Sequence, residues 1–426
     1  MENFFKKISL IIRDPSLRRR ILFVVAALVI FRFLSTIPVP GIDPVKLQAF
    51  FNSPTGDIFG LFNIFSGGGL SKLSIVMLGV GPYITASIVM QLLTMIFPKL
   101  KEMYQEEGEA GRAKFTQYSR LLTIPLALIQ GGGFLLLLEK SGVVTQLGSI
   151  EMITNIMVIL GGAVLLMWIG ELMTEFGIGN GTSLIIFAGI VANLPTLISQ
   201  ALITFTPSQV PLYIAFGVIA LLVVLGVVIV TEAERPIPVT YAKRIRGNKV
   251  YGGVSTYLPL RVNQAGVIPI IFALSILLFP QMIFQFLSSA LSGGIGKSIV
   301  DFILATLKNG WFYAIFYFIL VFLFTYFYTA VTFDPHAISE NLQKNGAFIP
   351  GVRPGQSTAE YIGKVLTRIT LVGATFLGFI AVLPLMMQSV TGIQSLAIGG
   401  TGLLIVVSVV IDLMKKVDAQ VSMREY

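Results

Sequence analysis

The chain has 426 residues, of which 55% are hydrophobic and only 12% charged, and it carries a net charge of +9. A soluble domain needs about 25% charged residues to cover its surface, so this chain has an exterior that meets lipid, and a division into soluble domains by length does not apply. It contains no cysteine and a single histidine, His336, which excludes disulfides, thiolate metal sites, a cysteine nucleophile and any site needing two histidines.

The first apolar stretch, 21–37, contains Arg32 and runs into Ile37-Pro38-Val39-Pro40-Gly41 with no small-residue cleavage site, so it reads as a permanent span and not as a signal peptide. Arg32 lies near the outer third of that span and is expected to snorkel to the interface. A bilayer core about 30 Å thick needs about 20 mostly apolar residues per helix. Ten stretches qualify: 21–37, 73–97, 121–138, 153–173, 183–203, 210–230, 265–286, 311–333, 369–388 and 395–413. Helix is the expected state of such runs, because backbone groups in lipid must bond one another.

Between the first two spans lies Asn63-Ile64-Phe65-Ser66-Gly67-Gly68-Gly69, preceded by a short apolar face of Ile58, Phe59, Leu61, Phe62 and Phe65. Glycine bends easily, so a small amphipathic helix folding back into the membrane fits this segment, as does an ordinary outer loop. Two large loops follow later, 231–264 and 334–368. Their apolar residues alternate with Gly and Pro, as in Arg235-Pro236-Ile237-Pro238-Val239, which predicts ordered hairpin-like structure. Such loops serve either to dock a cytosolic partner or simply to anchor the topology.

Of the 30 basic residues, 24 fall before span 1, after the even-numbered spans 2, 6 and 8, or in the tail. The other side holds Lys46, Lys72, Lys140, Lys297 and Lys308, with Arg32 inside a span. By the positive-inside rule both termini are cytoplasmic. Five spans on each side of the midpoint give two halves of opposite direction, the arithmetic of an inverted repeat with a pathway between the halves. The expected parts are a cytoplasmic segment 1–20, an N-terminal half 21–203, a C-terminal half 204–413 and a cytoplasmic tail 414–426.

Coupled transporters and pumps keep ionisable groups at mid-membrane, whereas Glu171, Glu175 and Asp412 here fall at the cytoplasmic ends of their spans. That weakens, without removing, the reading as a secondary transporter of a small solute. A membrane-embedded enzyme lacks candidate catalytic residues. Gly296-Lys297-Ser298 lacks the earlier glycine of a phosphate loop, that place being Leu291, and Asn180-Gly181-Thr182 sits on the wrong side for glycosylation.

Several motifs, in order, carry a family resemblance: Phe31-Arg32 with Ile37-Pro38-Val39-Pro40-Gly41-Ile42-Asp43, Phe65-Ser66-Gly67-Gly68, and Gly81-Pro82-Tyr83-Ile84-Thr85-Ala86-Ser87-Ile88. They continue with Gly177-Ile178-Gly179-Asn180-Gly181, Tyr241-Ala242-Lys243-Arg244, Gly266-Val267-Ile268-Pro269 and Phe348-Ile349-Pro350-Gly351-Val352-Arg353-Pro354-Gly355. From about residue 15 onward the chain resembles the SecY family, the central channel subunits of the bacterial Sec translocase. The resemblance implies an all-α, ten-helix membrane protein in two inverted five-helix halves around an hourglass pore in the plasma (inner) membrane. It implies no enzyme activity and no cofactor.

The same resemblance implies a closing ring of Val80, Ile84, Thr182, Ile186, Ile271 and Ile405, with Thr182 where relatives often have Ile. Val80 and Ile84 are four apart and so stack on one helix face, and a narrow apolar constriction sheds water and blocks ions. Gly402 stands where the family commonly has Ser. A plug over about 58–70 is implied, with Ile58, Phe62, Phe65, Gly67, Gly68 and Gly69, and a lateral gate bearing Thr85, Gln130 and Asn263. Each Leu in a helix favours lipid by about 0.3–0.6 kcal/mol, so an apolar segment competes with a few seam bonds of about 0.6–2 kcal/mol each. Lys243, Arg244 and Arg353 match the residues that dock the SecA ATPase or a ribosome. The implied partners also include the small membrane subunits SecE and SecG, signal peptides, unfolded preproteins and membrane lipid. Any contact with RNA phosphate would be sequence-independent.

Overall fold

The computed structural model describes residues 14–40, 46–47, 50, 63, 66–140, 142–144, 148–203, 210–241, 244–246, 249–251, 255–266, 268–291, 293–391 and 394–422. These are mostly helical, in the order α1 (Pro15–Leu34), α2 (Gly81–Ile96), α3 (Pro98–Gln105), α4 (Gly108–Lys140), α5 (Ser149–Phe176), α6 (Gly181–Ile203) and α7 (Val210–Glu232). Strands β1 (Glu234–Tyr241), β2 (Arg244–Arg246), β3 (Lys249–Tyr251) and β4 (Ser255–Arg261) follow. The rest comprises α8 (Ile268–Ala290), α9 (Ile295–Lys308), α10 (Gly310–Thr332), α11 (Pro335–Lys344), β5 (Ala347–Phe348), α12 (Gln356–Thr391) and α13 (Gln394–Ser422).

Helix occurs within every apolar stretch read from the sequence, but the lengths differ. Among the described residues, Gly108–Glu139, Ser149–Phe176, Gly310–Lys344 and Gln356–Met387 are long and apolar enough to cross a membrane. The pair Gly81–Ile96 and Pro98–Gln105, bent by 113°, makes a fifth candidate. Gly181–Thr196, Gly217–Glu232 and Ile268–Leu277 are shorter apolar helices. The bend follows from Pro98, which lacks an N–H and forces Phe97 into an extended conformation. Large apolar side chains such as Phe33, Ile150, Leu221 and Phe302 are exposed all over the bundle, as an exterior that meets lipid requires.

The second expected span, 73–97, begins as helix only at Gly81. Residues 66–80 form successive turns, with Leu73 and Gly79 at positive φ. Their backbone is tied to the end of α1 by Val39 N–H to the Leu73 carbonyl (2.8 Å) and Ile75 N–H to the Ile37 carbonyl (2.9 Å). Leu70, Leu73, Val76, Met77 and Leu78 are all buried, which is the condition for non-helical backbone at membrane depth.

Two small antiparallel sheets qualify the all-α expectation, and their hairpins lie in the first large loop as anticipated. The second loop is corrected to mostly helix, α11 and the start of α12, with only the two-residue β5, since Asp334 caps a helix there. Strands run β4-β1-β5 in one sheet and β2-β3 in the other. β1 pairs β4 from Glu234↔Arg261 to Thr240↔Ser255, while β5 of the second loop pairs only Thr240 and Tyr241. The edge beside Pro236 and Pro238 thus stays unpaired by β5, where a residue without an N–H is tolerated. Ile237, Val239, Leu260, Ala347, Ile349 and Ile362 bury together and join both loops into one unit on α12. His336 is an exposed side chain in the first turn of α11, whose N-cap is Asp334.

Helices α1 to α6 pack mainly among themselves, as do α7 to α13. The two sets meet where α8 crosses α2 and α4, and where α13 lies on α6. Close approach relies on glycine: a Cβ on Gly162 of α5 would stand 1.9 Å from the Ile75 carbonyl oxygen. Gly162→Ala is expected to destabilise the protein by about 1–3 kcal/mol, the usual cost of overpacking. Gly217→Ala, which meets nothing within 4 Å, should leave thermal unfolding in detergent unchanged. Equal melting temperatures for the two variants would refute the packing account.

Candidate channel waist and its surroundings

Val80 is the N-cap of α2, and the Ile84 N–H donates to its carbonyl at 3.0 Å, so the two side chains sit one helical turn apart. Ile186 comes from α6, Ile271 from α8 and Ile405 from α13. All five are buried, with no more than 8% exposure, and belong to one apolar cluster. The four helices that supply them are those through which the two sets of helices meet. Thr182 does not extend the apolar layer. It is half-buried, its hydroxyl donates to Asn180 Oδ1 at 2.5 Å, and its methyl lies 3.1 Å from where a Cβ on Gly170 of α5 would stand.

One turn along α6 and α13 the character changes from aliphatic to polar. Ser183 precedes Ile186 by three residues and Ser408 follows Ile405 by three, a displacement of about 4.5 Å along each helix. Both line a cavity of about 290 Å³ together with Asn180, Asn263, Gln264, Asp412, Lys415 and Lys416. Lys415 pairs with Glu232 at 3.0 Å and Lys416 with Asp412 at 3.0 Å. A cavity lined by both polar and apolar side chains, Leu184 and Val409 among the latter, therefore adjoins a cluster made only of hydrocarbon. Gly402, one turn before Ile405, is buried because a Cβ there would stand 2.8 Å from Ile190 Cγ2 of α6.

Gly67, Gly68 and Gly69 are buried in the turns ahead of α2. Gly67 and Gly68 have φ of 68° and 80°, a region open to glycine at no steric cost. Arg32 is half-buried, and its Nη1 donates to the Gly67 carbonyl at 3.1 Å, because that turn offers an acceptor within reach of the guanidinium. Ile58, Phe62 and Phe65 lie outside the described residues.

Thr85, Gln130 and Asn263 are each buried. Thr85 donates to the Gly81 carbonyl of its own helix (3.0 Å) and Asn263 Nδ2 to the Gly266 carbonyl (3.3 Å). The carbonyl oxygens of Gln130 and Asn263 have no hydrogen-bond partner among the described residues. The side chains thus bond locally, and the contact of α8 with α2 is made by hydrocarbon, Ile84, Ile88, Ile271 and Leu274 included. In the large loops Arg353 is exposed between Gly351 and Gly355, both at positive φ, and its carbonyl accepts from Thr358 Oγ1 at 2.8 Å. Arg244 belongs to β2 and pairs with Tyr251, while Lys243 lies outside the described residues.

One group escaped the sequence reading. Arg120 of α4 pairs with Glu171 of α5 at 2.8 Å, and Glu171 lies close enough to the Tyr83 hydroxyl of α2 to act on it electrostatically. Nothing in the periodicity of any one helix marks a partner on two others.

Solved channels share this fold. One described as a protein-conducting channel is 21% identical with a TM-score of 0.67, covering 96% of this chain and 93% of that one. The Sec61 of a canine ribosome-channel complex is 20% identical with a TM-score of 0.62 over the same shares. Fold, apolar helices and apolar exterior together define a multi-pass helical membrane protein. The protein-family model described as SecY matches residues 74–414. The protein translocase subunit SecY of Mycobacterium leprae (strain TN) is 44% identical over 433 residues, 97% of each chain. That of Escherichia coli (strain K12) is 44% identical over 417 residues, 96% of this chain and 93% of that one. The chain belongs to the SecY family.

The Gly402 packing makes a prediction of its own. Gly402→Ser should cost about 1–3 kcal/mol by overpacking, and Ile190→Ala should cost about 2–5 kcal/mol by leaving a cavity. The double variant should lose less than the sum, since each change relieves the other; strict additivity in thermal unfolding would count against direct contact.

Proposed function

We propose that the chain is a protein-conducting channel, and that the aliphatic cluster of Val80, Ile84, Ile186, Ile271 and Ile405 is its closed waist. The observation that carries this reading is that a cavity bearing Ser183, Ser408, Asn263 and Asp412 adjoins that cluster within one turn of α6 and of α13. A hydrocarbon constriction excludes water and ions, yet it presents no fixed polar partner, so unfolded polypeptides of any sequence meet similar resistance. Thr182 would make its own layer of the ring less apolar than the rest.

The reading has ten membrane helices in two oppositely directed halves, 21–203 and 204–413, both termini in the cytoplasm and the chain in the plasma membrane. The separate packing of α1 to α6 and of α7 to α13 supports it, as does the bias of basic residues. The turns around Gly67, Gly68 and Gly69 act as the plug at rest; a related SecY structure is described as having a plug domain that stabilises the closed channel and maintains the membrane seal. The seam of α8 with α2 and α4 is the lateral gate, flanked by Thr85, Gln130 and Asn263. Unpartnered amide oxygens at that seam make it soft, so an apolar segment worth several kcal/mol of lipid transfer can part it. A small-solute transporter is not supported, since the curated relatives are translocase subunits.

The sheet that unites the two large loops would be the docking platform for a SecA-type motor or a ribosome, with Lys243, Arg244 and Arg353 as its basic contacts. The ribosome-bound Sec61 relative supports this use of the fold. SecE-type and SecG-type small subunits would cover part of the exposed apolar exterior.

Two experiments test the reading. Deleting 63–70 together with Ile186→Gly and Ile271→Gly should make reconstituted vesicles leak ions; vesicles as tight as the parent's would remove the waist-and-plug assignment. Arg353→Glu should cripple motor-driven export while the protein remains inserted with an unchanged melting temperature. Normal export by that variant would refute the docking role.

A further inference from the structure

Arg32 is the only basic side chain inside the ten apolar stretches of the sequence. A charge at that depth is tolerated when it turns inward and finds a partner, and among the described residues no carboxylate pairs with it. Its partner is a backbone carbonyl, that of Gly67 at 3.1 Å. The neighbouring Phe31 is 1% exposed, and its Cζ lies 2.4 Å from where a Cβ on Gly67 would stand. On the other side α6 closes in: Gly189 Cα lies 3.2 Å from that same point, and Asn193 Oδ1 lies 2.8 Å from where a Cβ on Gly68 would stand. The glycine turn is thus held between two helices with no room for a side chain at either position.

The turn is also a unit in itself. Gly68 N–H donates to the Asn63 carbonyl (2.9 Å), Leu70 N–H to Ser66 Oγ (3.0 Å) and Ser71 N–H to Asn63 Oδ1 (2.8 Å). A segment braced by its own bonds moves as one body, so the contacts that decide whether it stays seated are those with α1 and α6.

We propose that Arg32, backed by Asn193, is a clasp that holds the plug turn in the closed channel. The inference rests on the plug reading above and adds the side chain that sets how readily the plug leaves. A charge-assisted bond from a guanidinium to a carbonyl is stronger than a neutral one, and this one is partly buried. Displacing the turn wets the pathway, and water then replaces the Gly67 carbonyl on the guanidinium. The clasp therefore biases the closed state without locking it. Glycine at 67 and 68 is required because a side chain there would push the carbonyl out of reach.

The test compares Arg32→Gln, Arg32→Lys and the 63–70 deletion in vesicles reconstituted with the chain and its copurifying subunits. Arg32→Gln should raise passive ion leak about tenfold, equivalent to about 1.4 kcal/mol. Arg32→Lys, a single-point donor in place of a planar fork, should fall between Gln and the parent. Labelling of Ser66→Cys, a position 0% exposed in the native chain, should quicken about tenfold in the Arg32→Gln background with a membrane-impermeant maleimide. Removing a charge from an apolar span favours insertion, so an unchanged melting temperature and subunit yield are expected. An Arg32→Gln channel as tight as the parent, beside a leaking deletion, overturns the clasp. If the deletion itself stays tight, the plug reading is the part that fails.

Discussion

Contact between hydrocarbon surfaces, with no directional bond across it, is what the rest of this architecture depends on. Lipid tails are as apolar as leucine, so helices in a bilayer gain little from hiding apolar area and instead hold together by close packing. Glycine makes that closeness possible here. Gly162 meets the Ile75 carbonyl, Gly181 the Gly170 carbonyl, Gly373 the Val262 carbonyl and Gly378 the ring of Phe318, each at a distance that leaves no room for a Cβ. The proposed waist would be the same kind of contact: van der Waals contacts are individually small and tolerate displacement, so five aliphatic side chains there would seal without specifying what displaces them.

Polar bonds are placed to strengthen each set of helices internally. Arg120 and Glu171 tie α4 to α5, and Lys415 ties α13 to Glu232 at the end of α7. The pairs Arg120–Glu171, Lys415–Glu232 and Lys416–Asp412 each lie within one set of helices. A long side-chain bond crosses between the sets, from Gln105 of α3 to the Val331 carbonyl of α10 at 3.5 Å. The contacts of α8 with α2 and α4 and of α13 with α6 join the two sets, and the proposed waist residues lie on those helices.

The loops follow the logic of a water-soluble domain. Ile237 and Val239 alternate with prolines that face away from the small core, and β5 clips the second loop onto the first through two residues. The consequence is that Arg353 stands on a turn braced by the Thr358 hydroxyl and by buried Ile349.

Membrane residence, the stations of the apolar helices and the ordered character of the large loops were all legible in the chain, because each depends on composition or on local punctuation by Gly and Pro. The start of the second span was not: residues 73–80 are as apolar as any helix, and only their bonds to Val39 and Ile37 and the positive φ of Leu73 and Gly79 hold them as turns. The waist residues were named only through family resemblance, since aliphatic side chains in a membrane helix look alike and periodicity says which face a residue shares, never which neighbour it meets. Arg32 shows the same divide. Its sequence position declares a charge in lipid, and solvation physics demands that it find a partner; that the partner is the Gly67 carbonyl, 35 residues along the chain, was decided only when α1, α6 and the glycine turn came together in space.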